Sequence, residues 1–89
     1  MKALVKQTAG RGLALTEVPE PTFRDDEVLI RVRSAGVCGT DVGTLTFKAS
    51  PAMEPFGSFP AVLGHEILAR VVDVGSAVRK VEVGQRVAV

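Results

Sequence analysis

With 89 residues the chain has room for one domain and a modest core, since a chain this short buries only about 60–65% of the surface it exposes when unfolded. Eleven Lys and Arg against ten Asp and Glu leave a net charge of +1, which supplies no field to draw nucleic acid or an anionic membrane and excludes both as expected partners. The single cysteine excludes an intramolecular disulfide framework and favours a reducing, cytoplasmic home, while Lys6 follows Lys2 too soon for a signal-peptide core and no apolar run is long enough to span a membrane.

The core must be aliphatic, because the only aromatic residues are four phenylalanines and valine dominates the apolar set. Valine's β-branching favours strands, so a sheet or barrel is expected before any motif is read. Residues 2–7 alternate loosely as an opening strand, residues 9–12 read as a turn, and residues 13–18 alternate as a second strand, which makes a hairpin. Pro19 and Pro21 then break regular structure. Asp25, Asp26 and Glu27 form an acidic turn, and residues 27–34 carry the cleanest alternation in the chain. There Val28, Ile30 and Val32 point one way and Leu29, Arg31 and Arg33 the other. Residues 41–47 suit a short helical turn with Thr40 or Asp41 as its N-cap. Residues 48–60, with three prolines and apolar Met53, Phe56 and Phe59, read as a loop that lines a cleft or packs down on the body of the domain. Residues 67–74 read as a strand, Gly75 and Ser76 turn it, residues 78–83 continue less regularly, and Gly84-Gln85 turns again before a last strand at 86–89.

Two stretches carry chemistry. In Ala35-Gly36-Val37-Cys38-Gly39-Thr40-Asp41 the chain's one cysteine is followed by a hydroxyl two residues on and a carboxylate three residues on, just past a strand end. Cys38 offers a thiolate for a metal or a nucleophilic attack, Thr40 a hydroxyl that donates and accepts, and Asp41 a negative charge. Gly36 and Gly39 permit positive φ or close approach of another group. The plainer roles are a small buried hydrophobe for Cys38 and helix capping for Thr40 and Asp41. The second stretch, Pro60-Ala61-Val62-Leu63-Gly64-His65-Glu66, holds the chain's one histidine, with a carboxylate directly after it. A satisfied polar group near the core is the plainer role for His65, and the adjacent Glu66 weakens it.

These two stretches in this order, with the later Val72-Asp73-Val74-Gly75 and Val83-Gly84-Gln85-Arg86-Val87, resemble the N-terminal part of the zinc-dependent medium-chain alcohol dehydrogenases over essentially the whole chain. The resemblance implies a mainly β fold, a GroES-like irregular β-barrel with short helical turns and long loops. It implies that Cys38 and His65 are ligands of a catalytic zinc, with Glu66 a further ligand or one that exchanges with water. Thr40 would receive the substrate proton, and Asp41 would accept from the ring nitrogen of His65 that does not bind metal. The implied reaction is hydride transfer from a small-molecule alcohol, polyol or sugar to NAD or NADP. Ala69 stands where the family usually has glycine, and Gln85 where it usually has aspartate.

Family members carry the nicotinamide on a separate Rossmann domain, whose glycine fingerprint is not found here, so residues 1–89 are expected to form one GroES-like domain, cut short, with a partial zinc site and no cofactor-binding residues. The isolated chain is expected to be inactive as a dehydrogenase and to self-associate through exposed barrel surface or a strand edge. The alternative is a non-enzymatic GroES-like β-barrel, a binding or structural module in which Cys38 and His65 are vestigial. A third reading pairs Cys38 with His65 as nucleophile and base.

Overall fold

The computed structural model describes residues 1–8, 12–46 and 60–89. Among these residues six strands and one helix follow in the order β1 (Lys2–Lys6), β2 (Ala14–Glu17), β3 (Val28–Gly36), α1 (Gly39–Thr46), β4 (Ala61–Val62), β5 (Glu66–Val74) and β6 (Arg86–Ala88). Among the described residues the strands pair into two three-stranded sheets, β2-β1-β4 and β3-β5-β6, rather than one closed ring. The chain is therefore mainly β, as expected from its valine content, and its strand arrangement is irregular, as the resemblance implies. It divides into two compact units, Met1–Pro19 with Val37–Gly64, and Glu20–Gly36 with His65–Val89.

In the first unit the expected hairpin forms, with β1 and β2 antiparallel from Lys2 opposite Glu17 to Val5 opposite Ala14. The turn expected at 9–12 lies outside the described residues except for Gly12, which adopts a φ of 103°. Strand β4 adds to the other side of β1, with Val5 opposite Val62 and Lys6 opposite Ala61. Two residues are too few for a periodic signal, which is why the sequence does not announce this strand. Val5 is buried, and so is Lys6, at 1% exposure. The lysine ammonium reaches the carbonyl of Gly12 at 3.5 Å.

Helix α1 forms from weak material: two glycines and three threonines fill five of its eight positions. Its start explains it. The Cys38 carbonyl accepts from the backbone N–H of Asp41 at 3.0 Å and of Val42 at 3.3 Å, and the Asp41 carboxylate accepts from the Cys38 N–H at 2.8 Å. That makes Cys38 the N-cap and Asp41 the returning arm of a capping box. The expectation of Thr40 or Asp41 as N-cap is corrected: the helix begins at Gly39, so Asp41 stands three residues beyond the cap. The loop expected at 48–60, with Met53, Phe56 and Phe59, lies outside the described residues except for Pro60.

The second unit is built on the antiparallel pair of β3 and β5, which runs from Val28 opposite Val74 to Gly36 opposite Glu66. Ala69 and Val71 of β5 are each 1% exposed and form its core. The simple alternation expected for β3 does not hold throughout. The register slips between Leu29 and Ile30 and again between Val32 and Ser34, leaving Val32 52% exposed. Bulges depend on the partner strand and leave no trace in one strand's own pattern. The irregular continuation over 78–83 forms no strand. Gln85 fixes the turn before β6: its side-chain oxygen accepts from the Glu82 N–H at 2.8 Å. No helix among the described residues is long and apolar enough to cross a membrane.

The acidic turn before β3 is held by Glu27. Its carboxylate accepts from the Arg24 backbone N–H at 2.8 Å and pairs with the Arg24 guanidinium at 3.0 Å. The backbone hydrogen bond first, and then the positive charge of Arg24, hold the carboxyl below its ordinary value of 4.5. A carboxyl whose folded pKa is depressed contributes stability above its unfolded pKa and loses it as pH falls through the folded one. Glu27→Gln is therefore expected to narrow its stability difference from the native chain as pH drops below about 4.5, read from urea unfolding midpoints between pH 7 and 3. A difference independent of pH would show that the carboxylate charge is not what holds the turn.

Candidate metal centre

Cys38 follows the last residue of β3 by two positions and caps α1. It is a half-buried thiol outside any disulfide, and it donates to the Thr40 hydroxyl oxygen at 3.7 Å. A helix N-terminus carries partial positive charge, so the position suits a negatively charged sulfur as it suits the Asp41 carboxylate beside it. Thr40 is exposed on the first turn, and its carbonyl accepts from the Thr44 hydroxyl at 2.9 Å. Within the first unit, Cys38, Thr40 and Asp41 are thus brought together by one capping arrangement.

The second unit supplies the other two residues. Gly64, at a φ of 114°, turns the chain into His65, and Glu66 opens β5. A side chain at Gly64 would be strained there, which explains a glycine directly before the histidine. His65 and Glu66 are both exposed, and their ligating atoms lie within 4.8 Å of one another. Glu66 pairs with Gly36, the final residue of β3, and β3 and β5 are antiparallel. The strand that leads to Cys38 and the strand that follows His65 therefore meet at one end of one sheet.

The donor set fits zinc in kind: a thiol sulfur, an imidazole nitrogen and a carboxylate oxygen are the three donor types that Zn²⁺ takes from proteins. Imidazole and carboxylate on adjacent residues in an exposed strand entry leave both reachable by an ion. Sequence reasoning singled out all five residues. It left Gly36 open to a positive φ or to close approach of another group; Gly36 has no positive φ, and close approach is what the structure gives. Glu66 Oε2 lies 3.0 Å from the point where a Cβ on Gly36 would stand.

The family model for the alcohol dehydrogenase GroES-like domain matches residues 24–89. This chain belongs to that family. An L-threonine 3-dehydrogenase of Streptomyces coelicolor is 44% identical over 89 residues, covering 98% of this chain and 25% of the relative. The 2R,3R-butanediol dehydrogenase of Bacillus subtilis superposes with a TM-score of 0.83 at 28% identity, covering 99% of this chain and 27% of that one. A quinone oxidoreductase from Coxiella burnetii reaches the same TM-score, 0.83, at 28% identity, over 99% of this chain and 28% of its own. The chain spans about a quarter of the length of the curated relatives it matches. Oxidoreductases named for different substrates share this backbone equally well, so the GroES-like fold does not choose the reaction. The side chains at its strand ends must.

Proposed function

We propose that this GroES-like chain is the substrate-activating part of a zinc-dependent, NAD(P)-linked dehydrogenase acting on a small alcohol, polyol or sugar. The observation that carries the reading is the β3–β5 register, which pairs Gly36 with Glu66 and so draws the Cys38 and His65 segments to one end of a sheet. In this reading Cys38, His65 and Glu66 hold the zinc, and the relatives' names support a hydroxyl-bearing substrate. When bound, zinc supplies Lewis acidity that lowers the pKa of a substrate hydroxyl.

The chain's own residues do the rest. Thr40, whose hydroxyl both donates and accepts, takes the proton that the substrate releases and passes it toward solvent from its exposed helical turn. As a thiol Cys38 donates to the Thr40 oxygen; once it is a thiolate that donation ends, which leaves the Thr40 oxygen able to receive from substrate while its own O–H donates to solvent. Asp41 fixes the Cys38 backbone through the capping bond, and in this reading it would accept from the His65 ring nitrogen that does not bind metal. The nicotinamide is held outside residues 1–89.

Zinc per chain, measured by elemental analysis after reconstitution and buffer exchange, tests this. About one zinc is expected for the native protein, with a large loss in Cys38→Ser and again in His65→Ala. Zinc that is absent, or that survives both substitutions, would leave a non-enzymatic GroES-like module as the better reading.

A further inference from the structure

Gly36 is unusual for a strand residue. Glycine weakens a strand because it costs backbone entropy and packs no side chain, so its presence marks a bulge, a bend or a close approach. Among the described residues the glycines with positive φ are Gly12, Gly64 and Gly84, and Gly36 is not one of them. The register is continuous from Ser34 through Gly36, so no bulge occurs there either. What remains is space. A Cβ on Gly36 would meet Glu66 Oε2 at 3.0 Å, whereas Glu66 Cβ at 3.5 Å and its carbonyl oxygen at 3.7 Å would be in ordinary contact. The backbone thus has room for alanine, and only the carboxylate does not. The Glu66 side chain folds back across the end of β3 and lies in the slot that the missing side chain leaves.

We propose that Gly36 is a positioning residue for Glu66: by having no side chain, it sets where the carboxylate oxygen stands relative to His65. The proposal rests on the zinc reading above. Metal–ligand distances are tolerant only to about 0.2 Å, and a methyl group in the slot would move the carboxylate by a few tenths of an ångström or turn it to another rotamer. Glu66 is exposed and its carboxylate is the far end of a flexible side chain, so the movement costs the fold little. Ligand geometry changes while stability does not. That separation distinguishes a positioning role from a structural one.

The test is a titration of the native protein, Gly36→Ala, Glu66→Ala and the double variant with Co²⁺, whose visible bands report ligand geometry, followed by competition with Zn²⁺. Gly36→Ala is expected to keep the native far-UV circular dichroism and melt within about 2 °C of native, while weakening metal binding by about 10-fold and altering the Co²⁺ bands. In the Glu66→Ala background, Gly36→Ala is expected to change neither affinity nor spectrum. Native-like metal binding by Gly36→Ala overturns the proposal, and so does an equal loss in both backgrounds, which would place the effect in the strand and not in the carboxylate. A Gly36→Ala chain that fails to fold overturns it as well. Native protein that takes no metal, or takes it regardless of Cys38→Ser and His65→Ala, defeats the zinc reading and this inference with it. Metal bound through Cys38 and His65 but indifferent to Gly36→Ala defeats the inference alone.

Discussion

Gly75→Ala is expected to destabilise the chain by about 3 kcal/mol or more and to lower Tm by at least about 12 °C. A Cβ at this position would collide with the backbone carbonyl oxygens of Arg24 and Asp25. Neither carbonyl can retreat cheaply, because the two turns are bonded to each other. The Gly75 N–H donates to the Glu27 carbonyl at 2.8 Å and the Ala77 N–H to the Asp25 carbonyl at 2.9 Å. Moving the 24–27 turn aside stretches both bonds, each worth about 1 kcal/mol net, and disturbs the entry into β3. Gly43→Ala is the matching control, since a Cβ there meets nothing within 4 Å and alanine favours the helix. Thermal unfolding followed by circular dichroism compares the two. A Gly75→Ala chain as stable as native would mean that these turns do not pack as closely as described.

Lys6→Ala is expected to cost about 2–4 kcal/mol, the range for emptying a buried long side chain. Lysine is rarely buried this completely, and Lys6 is 1% exposed in the central strand of its sheet. Its backbone pairs with Ala61 of β4, and its ammonium meets the Gly12 carbonyl. Alanine removes both the volume and the donor. Lys6→Met keeps most of the volume and removes only the donor and the charge, so it is expected to cost less. Urea unfolding of the pair apportions packing against polar satisfaction. A Lys6→Ala cost below about 0.5 kcal/mol would show that the side chain is solvated.

The strands that sequence reasoning found are those whose own residues carry the signal. β1, β2, β3, β5 and β6 each hold alternating or valine-rich runs bounded by turn residues, and each was placed within two residues of its ends. β4 was not, because Ala61–Val62 is defined only by pairing with β1. The slips along β3 were equally hidden, since they express a mismatch with β5. At the site the residue types were legible, and so was the short range from Cys38 to Asp41. Which of those residues caps the helix was not, because capping turns on where the first carbonyl bonds, and Cys38 is an unusual residue to hold that place. Pairing of Gly36 with Glu66 joins positions far apart in the chain, which no local pattern encodes.

The way the two units share the chain has a consequence for synthesis. The first unit is complete once Gly64 has been made, whereas β3 of the second, finished at Gly36, waits for β5 to begin at Glu66. At about 5–20 residues per second, the 30 residues between them take a ribosome roughly 1.5–6 s. Hairpins form in about 1–10 μs, so β1 and β2 can pair as soon as they emerge. Throughout that interval β3, with Val28, Leu29 and Ile30 side by side, has no β5 to pair with, while the hairpin upstream of it is already formed. Nascent chains paused after β3 has emerged from the ribosome and before β5 has should therefore be the ones that holdase chaperones capture, and release of the nascent chain should follow emergence of β5.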